Sequence, residues 1–378
     1  MVHKKRRMKF KPYIHQKENW PKFEWKDEPL INLISEVRNL QGKIVGKMEA
    51  LGIDLRNEAM LETLTLDVLK STEIEGEILD EEQIRSSLAK RLGIQIENSV
   101  YSERNVDGVV DMLLDATQNY KETLTIERFF NWHYSVFPTG RSGMHKITAG
   151  NWRKDATGPM YVISGAMGKE KVHFEAPNAD LIEKEIESFL NWFNSEEKTE
   201  PVIKAGIAHL WFITIHPFED GNGRISRALT DMLLARADGI TQRYYSMSSQ
   251  IRLERKAYYD ILEKTQQGSL DVTNWLIWFL NCLLNALKSS EIILSKVLYK
   301  HKFWNKYATD IQNKRQKKML NKLLDGFIGK LTTSKWAKIN KCSQDTALRD
   351  IQNLVEKGIM QKEKAGGRST NYELIGLE

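Results

Sequence analysis

The stretch HPFEDGNGRISR, His216 to Arg227, sets a histidine, two acids, two glycines, an asparagine and two arginines within twelve positions. An apolar run, AGIAHLWFITI (205–215), precedes it, and a second periodic segment, ALTDMLLARA (228–237), follows. The stretch therefore reads as a tight turn between two helices. Proline disfavours helical geometry at the residue before it, so the upstream helix is expected to end at about His216, with that residue extended. Gly221 and Gly223 permit positive φ and close approach of a ligand to the backbone. Successive amide N–H groups opening into a helix form an anion nest, reinforced by the helix dipole.

The side chains extend that chemistry. Arg224 and Arg227, three positions apart, project to one side of the first turn as forked donors for phosphate oxygens. Asp220 suits Mg2+, which takes one or two carboxylates and draws its other ligands from water and phosphate. Asn222 offers an amide to an anion. His216 is the group here whose ordinary pKa lies near neutrality, able to take a proton from an incoming hydroxyl. A plain glycine-containing N-cap with two surface arginines and a core histidine is the alternative; it leaves the convergence on one helix start unexplained. No lysine follows the glycines, which argues against the G-x-x-x-x-G-K-[ST] phosphate loop.

Outward from this turn, helical periodicity is common and strand alternation rare, so the class is mainly α. An aromatic, proline-bearing N-terminal stretch becomes an amphipathic helix, and a second helix through NEAMLETLTLDVLKSTEIEG (57–76) stops near Gly76. Helices are predicted at 80–92, 99–120, 125–137, 178–195, 201–215 and 223–237. Two more follow in RKAYYDILEKTQQG (255–268) and from an N-cap at Asp271 or Thr273 through to Trp304. Between 150 and 177 the pattern changes: MYVIS (160–164) and KVHFE (171–175) flank GAMGKE, the signature of a hairpin with a glycine-containing loop.

Composition bounds the rest. The chain has 378 residues, 41% hydrophobic and 28% charged, enough for two or three compact domains. No charge-free apolar run reaches the ~20 residues of a membrane span, and NWLIWFLNCLLNAL (274–287) reads as a buried helix, so no membrane partner is expected. The basic start, MVHKKRRMKFKPY, lacks an apolar signal region and reads as a solvated end. Cys282 and Cys342 stand far apart, with neither metal spacing nor a disulfide framework, and a cytoplasmic location is the simplest expectation. The net charge of +6 is uneven: residues 296–378 hold eighteen Lys/Arg against eight Asp/Glu, and the remainder is net negative. Such a tail suits a polyanion.

HPFEDGNGRISR resembles the H-P-F-x-[DE]-G-N-G-R-x-x-R signature of the Fic family at every specified position. The resemblance implies a Fic-type helical core and transfer of AMP from ATP to a Ser, Thr or Tyr hydroxyl of a target protein, the chain itself included. It implies that His216 deprotonates the hydroxyl, that Asp220 holds Mg2+, and that Gly221, Asn222, Gly223 and Arg224, with Ile225 and Ser226, cradle the phosphates. Arg227 would position the terminal phosphate, and Phe218 would anchor the loop. The predicted hairpin resembles the family's flap, which pairs with an extended target segment and borders the nucleotide through Val162, Ile163, Ser164 and Gly165. YYDILEKTQ resembles the segment lining the adenine and ribose pocket, which implicates Tyr258, Tyr259 and Gln266; the family often has asparagine where Gln266 stands. For the tyrosines, ordinary helix packing is an equal alternative.

STEIEG, Ser71 to Gly76, matches the family's [ST]-x-x-x-E-[GN] inhibitory pattern. Glu75 is expected to form a bidentate pair with Arg227, withdrawing the cation that the terminal phosphate needs. In some relatives the same glutamate helps to hydrolyse AMP off the target.

The basic tail has its own pattern. A helix through SKWAKIN leads to a second one capped by Ser343, with Ala347, Leu348, Ile351, Leu354 and Val355 as its apolar face, and GIMQKEKAGGRSTNYEL reads as two strands about a Gly-Gly turn. This resembles a winged helix-turn-helix. Gln344, Thr346 and Arg349 would face a major groove and Arg368 a phosphate, with DNA contact through 331–378 and homodimerisation as roles open to such a module. The expected organisation is an N-terminal helical extension (1–97) carrying the brake, a Fic core (98–295) with its hairpin flap, and the winged helix-turn-helix module (296–378). Alternatives to a magnesium-dependent adenylyltransferase are a DNA-binding regulator with a nucleotide-sensing core and an enzyme transferring another phosphate-bearing group. His133, His145 and His209 read as ordinary histidines, and Trp20, Trp25, Trp275 and Trp278 as interhelical filling.

Overall fold

A computed structural model of the chain describes residues 12–96, 98–155, 158–165, 171–196, 198–311, 313–327, 329–363 and 370–376. It forms two compact units, residues 1–291 and 292–378. Among the described residues, 12–96 lie in the first unit together with those of 98–291.

The first unit is helical: α1 Glu28–Glu49, α2 Ile53–Ile74, α3 Glu81–Leu92, α4 Arg104–Gln118 and α5 Ile126–Val136 precede the strands. Two short antiparallel pairs follow, β1 Arg141–Ser142 with β2 His145–Lys146, and β3 Tyr161–Ser164 with β4 Lys171–Glu175. Then come α6 Ile182–Phe193, α7 Pro201–Ile215, α8 Asn222–Asp238, α9 Met247–Leu253, α10 Arg255–Gln266 and α11 Thr273–Tyr307, whose residues from 292 onward belong to the second unit. The predicted hairpin forms with Tyr161 opposite Glu175 and Ser164 opposite Lys171, and its register shifts between Val162 and Ile163. The β1–β2 pair and α9 are additions that their short, polar sequences did not announce.

Helices α7 and α8 form the centre. Pro201 occupies the first turn of α7, where its missing N–H costs nothing, and Glu200 caps that turn by accepting from the Val202 and Ile203 amides. Every residue from Val202 to Ile215 is buried. Buried His209 ties the layers together: its Nδ1 lies 2.9 Å from Thr230 Oγ1 on α8, and its Nε2 2.9 Å from Tyr258 Oη on α10. Gly206 lets α11 approach, since a Cβ there would come within 3.0 Å of Leu276 and Phe279. Trp275 Nε1 donates to the Gly206 carbonyl at 2.8 Å. By length and composition α11 could cross a bilayer. In this fold Trp275, Leu276, Phe279, Leu280, Leu283 and Leu287 are instead buried in the core of the first unit.

The second unit contains α12 Lys314–Leu324, α13 Thr333–Asn340 and α14 Gln344–Glu356, with β5 Met360–Lys362 antiparallel to β6 Tyr372–Leu374. Its core gathers Phe303, Met319, Leu320, Trp336, Ile351 and Leu354. Ser343 caps α14, accepting from the Thr346 amide. The expected apolar face of α14 needs one correction: Ala347, Ile351 and Leu354 are buried, but Leu348 is 36% exposed, because the 3.6-residue period turns it away from the core. Gln344 and Arg349 are exposed, while the Thr346 hydroxyl lies 2.9 Å from Ser343 Oγ, within the cap. Arg368 lies outside the described residues.

Helices α4 and α5 cross closely at Gly108, where an added Cβ would fall 1.7 Å from the Ser135 carbonyl oxygen. The neighbour is backbone and cannot swing aside. Gly108→Ala is therefore expected to destabilise the first unit by about 2–3 kcal/mol through overpacking. Gly42→Ala, on an open face of α1 with nothing within 4 Å, should stabilise it by roughly 0.5–1 kcal/mol. Urea unfolding of the two variants checks both signs.

Candidate active site

The turn between α7 and α8 is built around a left-handed residue. Helix α7 ends at Ile215 as expected, but His216 adopts φ 51°, ψ 56° rather than an extended backbone. A left-handed cap keeps the His216 amide bonded to the Phe212 carbonyl and reverses the chain at once, which an extended residue could not do. The conformation costs a non-glycine residue about 1–2 kcal/mol. Arg153 holds it in place. This buried guanidinium donates from Nε to the His216 carbonyl at 2.8 Å, and its backbone amide donates to the Pro217 carbonyl at 2.9 Å.

Below the turn, Phe218 is fully buried and stacks on His133, with ring centroids 4.1 Å apart and planes 6° from parallel. The Gly150 amide donates to His133 Nδ1 at 2.9 Å, so the ring proton sits on Nε2, which faces the Asp220 carbonyl at 3.2 Å. His133 is thus a support of the loop, and its place on an otherwise ordinary amphipathic helix gave no sign of that. The Asn222 side chain, expected to offer its amide to an anion, is engaged within the turn. Its Oδ1 accepts from the Phe218 amide at 3.0 Å and its Nδ2 donates to the Phe218 carbonyl at 2.8 Å, stapling the turn from within. Gly221 caps α8 at φ 82°, against Phe137, whose Cε2 would lie 2.8 Å from any Cβ. The β1–β2 pair and its flank grip the two acids: Ser142 Oγ donates to the Asp220 carboxylate, and Thr148 donates from its amide and hydroxyl to Glu219.

Above the turn lies the end of α2. Glu75 stands over Gly223 so closely that a Cβ on that glycine would fall 2.1 Å from Glu75 Oε1. The nest at the start of α8 therefore already faces an anion. Glu75 Oε1 accepts from Arg227 Nη2 at 2.8 Å, but the pair is not bidentate. The other inner donor, Nε, goes to Ser71 Oγ at 2.9 Å, and Nη2 is shared with the Ser71 carbonyl at 2.8 Å. One edge of the fork serves two residues of α2, leaving Nη1 buried and without a partner among the described residues. Arg224 lies over the Phe137 ring at 4.6 Å and donates from Nη1 to Glu77 Oε2 at 2.8 Å. Its Nε is also buried and unpartnered among the described residues. Glu77 lies one residue beyond the inhibitory pattern, which is why the pattern did not point to it.

Residues 123–234, which span this turn and its supports, match the family described as the Fic/DOC family. The chain carries a Fic/DOC domain. Residues 13–94 match a second family, described as a domain of unknown function, DUF4172. A protein adenylyltransferase fic-1 of Caenorhabditis briggsae is 27% identical over 198 residues, 49% of this chain and 36% of that protein. A protein adenylyltransferase Fic of Drosophila mojavensis is 37% identical over 87 residues, 22% of this chain and 16% of that protein. The chain thus spans about a third or less of the length of these relatives. A crystal structure of a Fic family protein from Desulfovibrio desulfuricans shares the fold, with a TM-score of 0.50 at 21% identity over 93% of this chain and 97% of that one.

Several residues expected to touch the nucleotide have side-chain partners inside the Fic domain. Ile225 and Ser226 are buried, and Ser226 Oγ donates to the His209 carbonyl on α7 at 3.2 Å. Tyr258 is 2% exposed with its hydroxyl on His209, and Gln266 is buried with Nε2 donating to Thr214 Oγ1 at 3.2 Å. Helical periodicity turns both to the core. Tyr259, on the next face, is partly exposed, with Arg255 over its ring at 5.1 Å. On the hairpin, Val162 packs on the small cluster of Tyr13, Phe174 and Ala176, while Ile163 and Ser164 are exposed. Gly165 follows at φ 112°. Ser164 Oγ lies 2.6 Å from His173 Nε2, and His173 Nδ1 lies 2.6 Å from Glu263 Oε2 on α10, so the hairpin is fastened to α10.

The donor set fits the groups that such a site would take. Two buried arginines with unused donors suit a polyphosphate, and Gly223 opens the cradle that a Cβ would close. Asp220 keeps its side chain 39% exposed, and no cluster of three acidic, histidine or cysteine ligands occurs among the described residues. One open carboxylate is the pattern of Mg2+ shared with phosphate, not of a metal caged by protein.

The histidines of the core are held neutral. Burial lowers His216 to about 4, aided by the charge of Arg153 and opposed by the Ile213 carbonyl, Glu75 and Asp220. Burial likewise lowers His133 to about 4 and His209 to about 3. Since these folded values lie below the ordinary 6.5, the unfolded chain binds more protons than the folded one over this range. Stability should be full above about pH 6.5 and fall as the pH drops towards 4, by up to about 1.4 kcal/mol per pH unit for each of the buried His133 and His209. Urea unfolding at pH 7 and pH 5 measures the loss, and an equal free energy at both would contradict neutral burial.

Proposed function

We propose that the protein is an adenylyltransferase, moving AMP from ATP to a hydroxyl of a protein target, and that α2 holds it in check. The observation that carries this reading is the Glu75 carboxylate lying in the nest over Gly223 while paired to Arg227. An anion occupies the place where the dipole of α8 and two arginines favour phosphate. The matches to proteins named as adenylyltransferases support it.

The chemistry follows from the same atoms. His216 Nδ1 lies 3.3 Å from the Ile213 carbonyl, which can only accept, so Nδ1 carries the proton and Nε2 keeps its lone pair. Nε2 takes the proton of the target hydroxyl as its oxygen forms a bond to the α-phosphorus; the bond from that phosphorus to the β-phosphate oxygen breaks, and pyrophosphate leaves. A base lowered to about 4 is weak. Bringing the negative charge of a triphosphate beside it favours the imidazolium and raises its basicity during turnover. Arg224 and the amides of the turn orient the phosphates, Arg227 receives the terminal one, and Asp220 holds Mg2+, which when bound offsets charge on the phosphates and the leaving group. Arg153 and His133 keep His216 and the loop in position. The exposed strand β3 offers its free edge to an extended target segment.

Incubating the full chain with α-labelled ATP and Mg2+ tests the reading. We expect Glu75→Gly to raise self-labelling at least tenfold over the parent, because Arg227 is released. His216→Ala in that background should abolish it. Label that persists without His216 would reject the assigned chemistry, and no gain on removing Glu75 would reject the brake.

A further inference from the structure

Both acids that meet the arginines stand where a helix least favours them. Glu75 is the C-cap of α2 and Glu77 lies two residues beyond, at the end that carries the negative pole of the helix dipole. The turn is closed by two bonds: the Gly76 amide donates to the Glu73 carbonyl and the Glu77 amide donates to the Thr72 carbonyl, each at 3.1 Å, with Gly76 left-handed at φ 87°. This double closure fixes the backbone beneath both acids. Acids at this end run against local preference, and such conflicts mark sites kept for function. Each is compensated by one cation, Glu75 by Arg227 and Glu77 by Arg224, both at 2.8 Å.

The two cations are not equivalent. In the reading proposed above, Arg227 meets only the third phosphate, whereas Arg224 lies beside the phosphates that ADP and ATP share. Its side chain is 5% exposed and boxed by Phe137, Asp220 at 3.8 Å and Glu77. Asp220, when it holds a metal, is no longer a partner for Arg224. Glu77 is then the remaining carboxylate that competes with phosphate for it.

On that reading of the site, we infer that Glu77 is a second competing carboxylate, holding Arg224 as Glu75 holds Arg227, so that the resting site is closed to a nucleoside diphosphate as well as to the third phosphate. Release then has two parts. Displacing Glu75 frees the position of the third phosphate, and displacing Glu77 frees the shared ones. Once phosphates take the arginines, both acids lose their compensation and are repelled by the ligand and by the pole of their own helix.

Titration calorimetry of the full chain with ADP and with ATP, each with Mg2+, separates the two parts. Glu77→Gln should tighten ADP and ATP alike, by about tenfold, whereas Glu75→Gln should tighten ATP by more than it tightens ADP. An ADP affinity in Glu77→Gln within twofold of the parent overturns the role of Glu77, provided that the Glu75→Gly/Glu77→Gln double variant binds nucleotide. If that double variant binds neither nucleotide, the nucleotide reading of the site fails and this inference falls with it. Should Glu77→Gln lower the thermal unfolding midpoint, Glu77→Asp takes its place: it keeps the backbone turn and the charge but shortens the reach to Arg224, and it too must tighten ADP.

Discussion

A single buried cation organises the site. Arg227, with 2% of its side chain exposed, is held at the start of α8 by the hydroxyl and carbonyl of Ser71 and the carboxylate of Glu75. Removing one partner of a buried pair typically costs 3–5 kcal/mol, because it leaves a charge desolvated and uncompensated. Helix α2 therefore leaves this cation readily only when another anion takes its place. In the function proposed for the site, the brake and the binding of phosphate are the same equilibrium seen from two sides: one guanidinium and two anions that cannot both occupy it.

Around that cation the loop is prepared for chemistry before any ligand arrives. His216 bears a left-handed backbone, and the cost of that conformation is met by neighbours distant in sequence: Arg153 on its carbonyl, His133 beneath Phe218, and Asn222 across the turn. Because the supports are buried, the imidazole is held with Nδ1 committed to Ile213 and Nε2 without a partner among the described residues. Placement of this kind converts binding into orientation. Burial also keeps the ring neutral, the form in which it can accept a proton.

The hairpin and α10 form the other wall. The chain of contacts Ser164–His173–Glu263 joins β3 to the helix whose exposed face carries Tyr259. The hairpin proposed to meet a target and the helix proposed to border the nucleotide are thereby fastened to one another.

The sequence by itself determined the helical class, the hairpin and the place of the turn at 216–227, because each depends on local rules: periodicity, the helix stop before proline, and glycine at the left-handed cap of α8, whereas the left-handed backbone of His216 was not among them. It also singled out Glu75 and Arg227, since a short pattern near a specific turn carries that information. What it could not decide was which side chains have partners. Asn222, Gln266 and Tyr258 are polar and lie where a ligand contact is expected, yet packing turns them inward to the loop, to Thr214 and to His209. Arg153, His133 and Glu77 have nothing in their own neighbourhoods to distinguish them, and their roles arise only when residues 17 to 147 positions apart meet at one helix end. Local propensity is written residue by residue, whereas the pairing of buried charges and hydrogen bonds is settled by the whole fold, because only there does desolvation make each unpaired group costly.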